Sequence, residues 1–315
     1  MNTAPYRPKV GLILGSGAAR GWAHIGVIQA LRSAGLHIDL VCGTSIGALV
    51  GAVHANNRLD ELDEWVRTLS MRDVVSFMDL TLAGGVLKGD RLMAFFRQRF
   101  LDRSIEELEL AFGAVATSLY GGTEVWLRSG NALAAVRASI ALPALFAPVR
   151  HNGQVLVDGG LVNPVPVSLA RAMGADILIA VDLNAGLLGR HLRRPSAPDS
   201  NASLPSSPEI HTESWFDRLQ NNLSALLTDR SGESGPARPE IPSMLDVVAA
   251  SINIMQERIT RSRMAGEPPH VTISPRLAHL GLMDFHRARE AIEEGERAAL
   301  EALDDIRTFD VRLSH

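Results

Sequence analysis

Residues 10–50 read VGLILGSGAARGWAHIGVIQALRSAGLHIDLVCGTSIGALV, and the same kind of passage occurs twice within them. An apolar run, Val10–Leu14, enters a glycine-rich turn, Gly15-Ser16-Gly17-Ala18-Ala19-Arg20-Gly21, and then a stretch of helical period from Trp22 to Ser33. A second run, Leu40–Cys42, enters Gly43-Thr44-Ser45-Ile46-Gly47 and then the apolar start of another helix. Short apolar runs without polar alternation read as strands buried on both faces. Such strands alternating with helices predict a mainly parallel sheet with helices on either side, an α/β/α arrangement in three layers. In such a sheet both turns lie at the same carboxyl edge, where binding and catalysis are usually placed.

Further along, Phe112–Thr117, Val155–Val157 and Ile177–Val181 read as more buried strands of this sheet. Glu124–Leu127, after Tyr120-Gly121-Gly122, reads as the return strand of a hairpin. Asp60 and Asp90 are expected as helix N-caps, and Ser104-x-x-Glu107 as a capping box. Residues 1–183 thus form an α/β core. From Asn184 to Ser243 the chain turns rich in Ser, Pro and Arg, a composition that buries too little apolar surface to order itself. One island interrupts this segment: Trp215, Phe216, Leu219, Leu223, Leu226 and Leu227 fall on one helical face. It reads as a short docked helix, or as a lid or membrane-surface contact. A helix over 244–264, a strand Val271–Ile273 and a charged helix Asp284–Ile306 follow. They are too short for a core of their own, so 244–315 is expected to complete the first domain. The length of 315 residues suits two domains at ~150 residues each, but this motif order spreads one domain along the chain.

Composition narrows the function. Lys plus Arg number 31 against 35 for Asp plus Glu, and aromatics are 5%, so neither a basic field nor a stacking platform for nucleic acid is present. A single cysteine, Cys42, excludes an internal disulfide framework and a cysteine-built metal site, and it reads as a buried core residue. No acidic loop suits calcium, and no metal or cofactor is expected. The run Val10–Leu14 is too short for a signal-peptide core, and no stretch of ~20 apolar residues could span a bilayer. A cytoplasmic protein is expected, with peripheral membrane contact left open.

The glycine loop exposes backbone N–H groups beside a helix N-terminus, a site for negative charge. It could hold a pyrophosphate or a developing oxyanion, or its glycines could serve only close packing. The nucleotide reading fits poorly. Arg20 stands at the sixth position of the pattern, and Asp39 precedes the second strand instead of ending it. The second turn is a G-x-S-x-G between strand and helix. A nucleophilic serine must leave the sheet on a strained turn, and small residues on both sides, Gly43 and Gly47, permit it. Ser45 is the expected nucleophile; the bland reading is an N-cap serine.

A serine needs a base. His270 and His279 flank a strand and His286 starts a helix, settings that suggest surface or packing roles. His24, just after the glycine loop, reads as a satisfied structural histidine. Asp158 ends the run Val155–Val157 and opens Asp158-Gly159-Gly160, with Asn163-Pro164-Val165-Pro166 behind it. A partly desolvated carboxylate there could take the serine proton directly, or the pair could be an ordinary Asp-Gly turn.

Taken together, the loop Gly15–Gly21, the elbow Gly43–Gly47 and Asp158-Gly159-Gly160 resemble the patatin-like phospholipase family in order and separation. The block Ala138-Ser139-Ile140-Ala141-Leu142-Pro143 resembles the family's Ser/Pro segment. The stretches RGWAHIGVI, DGGLVNPVP, RMAGEPPHVTISP and DFHRAREAI look like the bacterial RssA-type branch. The resemblance covers nearly the whole chain outside 184–243. It implies a Ser45–Asp158 dyad without histidine, an oxyanion hole from the N–H groups of Gly17 and Ala18, and turn-shaping roles for Gly15 and Ser16. Many members carry glycine where Ala18 stands, and a positive φ there would be costly. Arg20 matches the family's basic position and either orients a phosphate or fixes the loop. The substrate implied is a long-chain ester, a phospholipid or lysophospholipid, cleaved through an acyl-enzyme. The competing readings are a non-enzymatic regulatory or interaction protein on the same scaffold, a histidine-dependent esterase and a nucleotide-binding protein.

Overall fold

A computed structural model of the chain describes residues 7–77, 89–143, 145–185 and 244–309. Those of 7–185 and 248–309 belong to one compact unit. The second unit, 193–247, enters the description only with its last residues. The island Trp215–Leu227 lies outside the described residues.

Eight strands are present: β1 Val10–Leu14, β2 Leu40–Thr44, β3 Ala111–Ser118, β4 Glu124–Leu127, β5 Val149–His151, β6 Gln154–Asp158, β7 Ile177–Val181 and β8 Val271–Ile273. Ten helices accompany them among the described residues. They are α1 Ala23–Ser33, α2 Ile46–Ala55, α3 Leu59–Val66, α4 Met71–Ser76, α5 Asp90–Arg99, α6 Ala132–Ser139, α7 Val167–Ala172, α8 Met244–Gly266, α9 Ala288–Glu301 and α10 Leu303–Arg307. Strands β2, β1, β7 and β8 are parallel neighbours, and β3 joins β2 in parallel. The sheet is therefore mainly parallel with helices on both faces, as the alternation predicts. None of the described helices is long and apolar enough to cross a membrane.

The apolar strands are continuous because both faces are covered, yet each strand divides its side chains by period two. Leu12 and Leu14 of β1, Val41 of β2 and Ile177, Ile179 and Val181 of β7 pack into the larger core, with α1, α2, α3 and α9. Ile13, Leu40, Cys42, Leu178 and Ala180 point the other way, against Val167, Leu169 and Ala170 of α7. Leu12, Ile13 and Leu14 are wholly buried, worth about 1.5–3 kcal/mol each in apolar transfer. Cys42 is a buried thiol of the smaller core, its pKa pushed up by desolvation. On the larger side α1 and α9 approach closely, because a Cβ on Gly26 or Gly295 would overlap the other helix's backbone.

The strand before Asp158 departs from expectation. β6 is antiparallel to β3, and β5, a strand the sequence did not signal, is its antiparallel hairpin partner. The registers fix where β6 sits. Ala114 pairs with both Gly43 and Leu127, and Ala116 with both Val125 and Asp158. A residue with two partners has one on each side, so β4 takes one edge of β3, while β2 and β6 share the other. β2 stops at Thr44 opposite Val115, and β6, arriving from the opposite direction, stops at Asp158 opposite Ala116. The carboxyl ends of the two strands meet head-on.

Other expectations shift by small amounts. The cap of α3 is Arg58, with Asp60 in its first turn, and the cap of α5 is Gly89 at φ 72°, with Asp90 as its first residue. The Ser104–Glu107 box forms but closes only a 3-10 turn, Ile105–Glu107. The charged C-terminal helix is divided into a 3-10 turn, Phe285–Arg287, then α9 and α10.

Candidate active site

The meeting of β2 and β6 brings Ser45 and Asp158 together. Ser45 Oγ donates a hydrogen bond of 2.6 Å to Asp158 Oδ2 across 113 residues of chain. Ser45 has φ 57° and ψ −123°, a backbone an L-residue adopts only under constraint. The constraint is steric and hydrogen-bonded. A Cβ on Gly47 would overlap the carbonyl of Leu14, and one on Gly43 would overlap the backbone of Gly47. The Ser45 N–H donates to Ser139 Oγ (2.8 Å), whose own hydroxyl donates to Val115 O (2.6 Å). Thr44 Oγ1 donates to Asn163 O (2.8 Å). The Ser45 carbonyl accepts from Ala48 N at 2.9 Å, so α2 starts directly at the serine.

Asp158 is wholly buried. Its N–H donates to Ala141 O (2.9 Å) and its carbonyl accepts from Thr117 Oγ1 (2.8 Å). Oδ1 accepts from Gly160 N at 2.7 Å. Gly159 lies against β3, where a Cβ would overlap Val115 O. Burial pushes the carboxyl pKa up from 3.8 to about 6, against the opposing pull of the bonds from Ser45 and Gly160. At pH 7 the group is therefore still mostly ionised, but more basic than an ordinary carboxylate.

The glycine loop crosses the same edge. Gly15 N donates to Val181 O (3.0 Å) and Ser16 N to Pro164 O (2.9 Å), which ties the loop to β7 and to the Asn163–Pro166 segment. Among the described residues the N–H groups of Gly17 and Ala18 have no acceptor. Ala18 sits at φ 49°, the costly conformation for alanine. Gly21 faces Ile46 of α2, where a Cβ would overlap it. Arg20 is 1% exposed, its Nε donating to Gly17 O (3.2 Å) and its Nη2 to Asn253 Oδ1 (2.9 Å). The guanidinium is thus spent on bracing the loop. Desolvation lowers its pKa to about 10, with Asp182 acting in the opposite sense.

His24 donates from Nε2 to Gly15 O (2.8 Å), and burial holds its pKa down at about 4, so the ring is neutral. Its Nδ1 has no partner among the described residues, so this structural histidine is only half satisfied. His270 accepts on Nδ1 from Leu178 N, and His279 pairs with Glu290. Neither they nor His286 are among the residues lining the cavity at Ser45.

A family model described as Patatin-like phospholipase matches residues 12–171, slightly more than half of the chain. This chain belongs to the patatin-like phospholipase family. An uncharacterized NTE family protein of Mycobacterium tuberculosis (strain ATCC 25618 / H37Rv) is 35% identical over 343 residues, covering 94% of this chain and 92% of the relative. Patatin-like phospholipase domain-containing protein 6 of Mus musculus is 36% identical over 185 residues, covering 56% of this chain and 14% of the relative. Among solved structures, VipD from Legionella pneumophila aligns with a TM-score of 0.42 at 14% identity, covering 96% of this chain and 67% of that one. Membership of the patatin-like phospholipases supports lipid hydrolysis as the general class of activity.

A cavity of about 120 Å³ opens at Ser45. Its walls are almost wholly apolar, and six of the chain's scarce aromatics, Trp22, Trp65, Phe77, Phe96, Phe146 and Phe285, contribute to them. Trp65 makes edge contacts with Trp22, Phe77 and Phe96 at centroid distances of 6.5, 5.9 and 5.6 Å. These rings are scattered from α1's approach to the start of α9, and sequence reasoning did not gather them. It also missed what Ser139 and Ala141 do: one fixes the serine elbow and the other the Asp158 backbone. Their block was noticed only through resemblance.

Proposed function

We propose that this chain is a serine lipid acyl hydrolase acting through an acyl-enzyme on a phospholipid or lysophospholipid. Ser45 is the nucleophile and Asp158 the base. The observation that carries the reading is the 2.6 Å Ser45–Asp158 hydrogen bond, with Ser45 lining an apolar cavity. Asp158 Oδ2 takes the Ser45 proton as Oγ bonds to the ester carbonyl carbon. The carbonyl oxygen becomes an oxyanion received by the N–H groups of Gly17 and Ala18. The carbon–oxygen bond to the alcohol then breaks, and Asp158 returns its proton to that leaving oxygen. Water enters, gives a proton to Asp158 and adds to the acyl carbon. Ser45 leaves, recovering that proton, and the free fatty acid departs. The raised pKa of Asp158 helps, because a stronger base takes a hydroxyl proton more readily. Gly15, Ser16, Arg20 and Gly21 shape the oxyanion loop; Gly43 and Gly47 shape the elbow; Gly159 and Gly160 shape the base turn. The apolar walls suit an acyl chain. A cytoplasmic location with peripheral membrane contact belongs to the same proposal, as does one domain assembled from 1–183 and 244–315.

The test is fluorophosphonate labelling of the wild type and Ser45→Ala, followed by hydrolysis of a phospholipid and lysophospholipid panel. Labelling and hydrolysis lost together in Ser45→Ala are expected. A wild type that neither labels nor hydrolyses any lipid ester refutes the reading and favours a regulatory protein on a hydrolase scaffold.

A further inference from the structure

Helix α8 carries polar side chains where a packed helix would ordinarily present apolar ones. Asn253, Gln256, Glu257 and Thr260 recur at the spacing of one helical face; the last three are buried. Gln256, 5% exposed, bridges two parts of the site. Its Oε1 accepts from Ser16 Oγ at 3.0 Å, and Asn184 Nδ2 approaches the same oxygen at 3.4 Å. Asn184 Nδ2 also reaches Ser16 O at 3.3 Å. The other end of the Gln256 amide fills the space beside Gly160, where a Cβ would overlap Nε2 and stand 3.0 Å from Asp158 Oδ1. Gly160 is the residue whose N–H holds that same Oδ1. One side chain therefore spans from the loop whose Gly17 and Ala18 N–H groups have no acceptor among the described residues to the turn that holds the carboxylate. The bonds to Oε1 make the Ser16 side a defined contact, while the Gly160 side is close packing against Nε2.

We propose that Gln256 is a positioning residue for the reaction. Through Ser16 on one side and Gly160 on the other, it fixes the separation between the oxyanion donors and the Asp158 base. It does not touch the ester. This inference rests on the serine-hydrolase reading.

The experiment compares wild type, Gln256→Leu, Gln256→Glu and Ser16→Ala on one lysophospholipid substrate. Rates are expressed per site titrated with a fluorophosphonate, so that misfolded protein does not count. Gln256→Leu is expected to lower kcat roughly 3- to 10-fold, the loss of one buried hydrogen bond at the barrier, with KM little changed. Gln256→Glu keeps the acceptor for Ser16 and is expected to recover most of kcat. It also places negative charge beside Asp158, so the acidic limb of its pH profile moves up by about 1 pH unit. Ser16→Ala is expected to reproduce the kcat loss, and Gln256→Leu on top of it to add little. If Gln256→Leu does not fold, the Ser16→Ala rate and the shifted profile of Gln256→Glu decide. Unchanged kcat in Gln256→Leu and Ser16→Ala with an unmoved profile in Gln256→Glu, on a wild type that labels at Ser45, overturns this inference alone. A wild type inert to the probe overturns the serine-hydrolase reading and this inference with it.

Discussion

Replacing Asp158 by Asn should sharply reduce hydrolysis and stabilise the fold, and the second effect follows from burial. The carboxyl is wholly buried and its pKa stands at about 6 in the folded chain, against 3.8 without the protein around it. A folded-state pKa above the unfolded value means that the unfolded chain releases its proton first. As pH rises from 3.8 to about 6, the folded state therefore loses stability, and above that window the loss is complete. At ~1.36 kcal/mol per pH unit, the ionised carboxylate costs about 3 kcal/mol at pH 8. Asn keeps the shape and the acceptor for Gly160 N–H. After allowance for burying an amide, the net gain at pH 8 is about 2 kcal/mol, a rise in melting temperature of roughly 3–4 °C for a chain of this length. Thermal melts of both proteins at pH 8 and pH 3.5 supply the check, since other titrating groups cancel in the difference. The gain should vanish at pH 3.5, where the carboxyl is protonated in the folded chain and about two-thirds protonated in the unfolded one. No gain at pH 8, or the same gain at both pH values, would refute the reasoning. Hydrolysis by the variant should fall by about 10²- to 10⁴-fold, the range expected for loss of a general base.

Two other outcomes follow from the geometry. Ala18→Gly should raise the free energy of urea unfolding by about 0.5–1 kcal/mol, because the left-handed backbone at φ 49° is strained for alanine and open to glycine. Val74→Trp, which pushes an indole into the cavity wall from α4, should lower kcat/KM for a long-chain ester relative to its acetyl counterpart by about tenfold, as two methylenes at ~0.8 kcal/mol lose their burial; paired esters of one alcohol measure the ratio.

The parallel part of the sheet was legible because its strands are apolar on both faces, a pattern few other structures produce. Ser45 was legible for a related reason: the strained turn needs small residues at Gly43 and Gly47, and small residues leave a readable spacing. Local pattern placed Asp158 only at a strand end; its pairing with Ser45 came from the family resemblance, not from the spacing. The direction of β6 depends on pairing with β3, which local sequence does not encode, and β5 is only Val149-Arg150-His151, with a single apolar residue. The caps expected at Asp60 and Asp90 moved into the first helical turn. There an acid still favours the helix dipole, so composition alone cannot separate the two positions. Gln256 escaped notice because a polar residue at a helical position reads as solvent-facing until a loop from the far end of the chain is packed over it.

The head-on meeting of β2 and β6 along one edge of β3 makes the Ser45–Asp158 pair a gauge of assembly. A slip of β6 by one residue against β3 would carry Asp158 about 3.3 Å along the strand and turn its side chain to the opposite face. Ser45 Oγ would then lose its carboxylate partner. Reactivity at Ser45 should thus report that this one pairing has formed. During refolding it should emerge only once β2 and β6 have both paired with β3, so a serine-directed probe times that pairing.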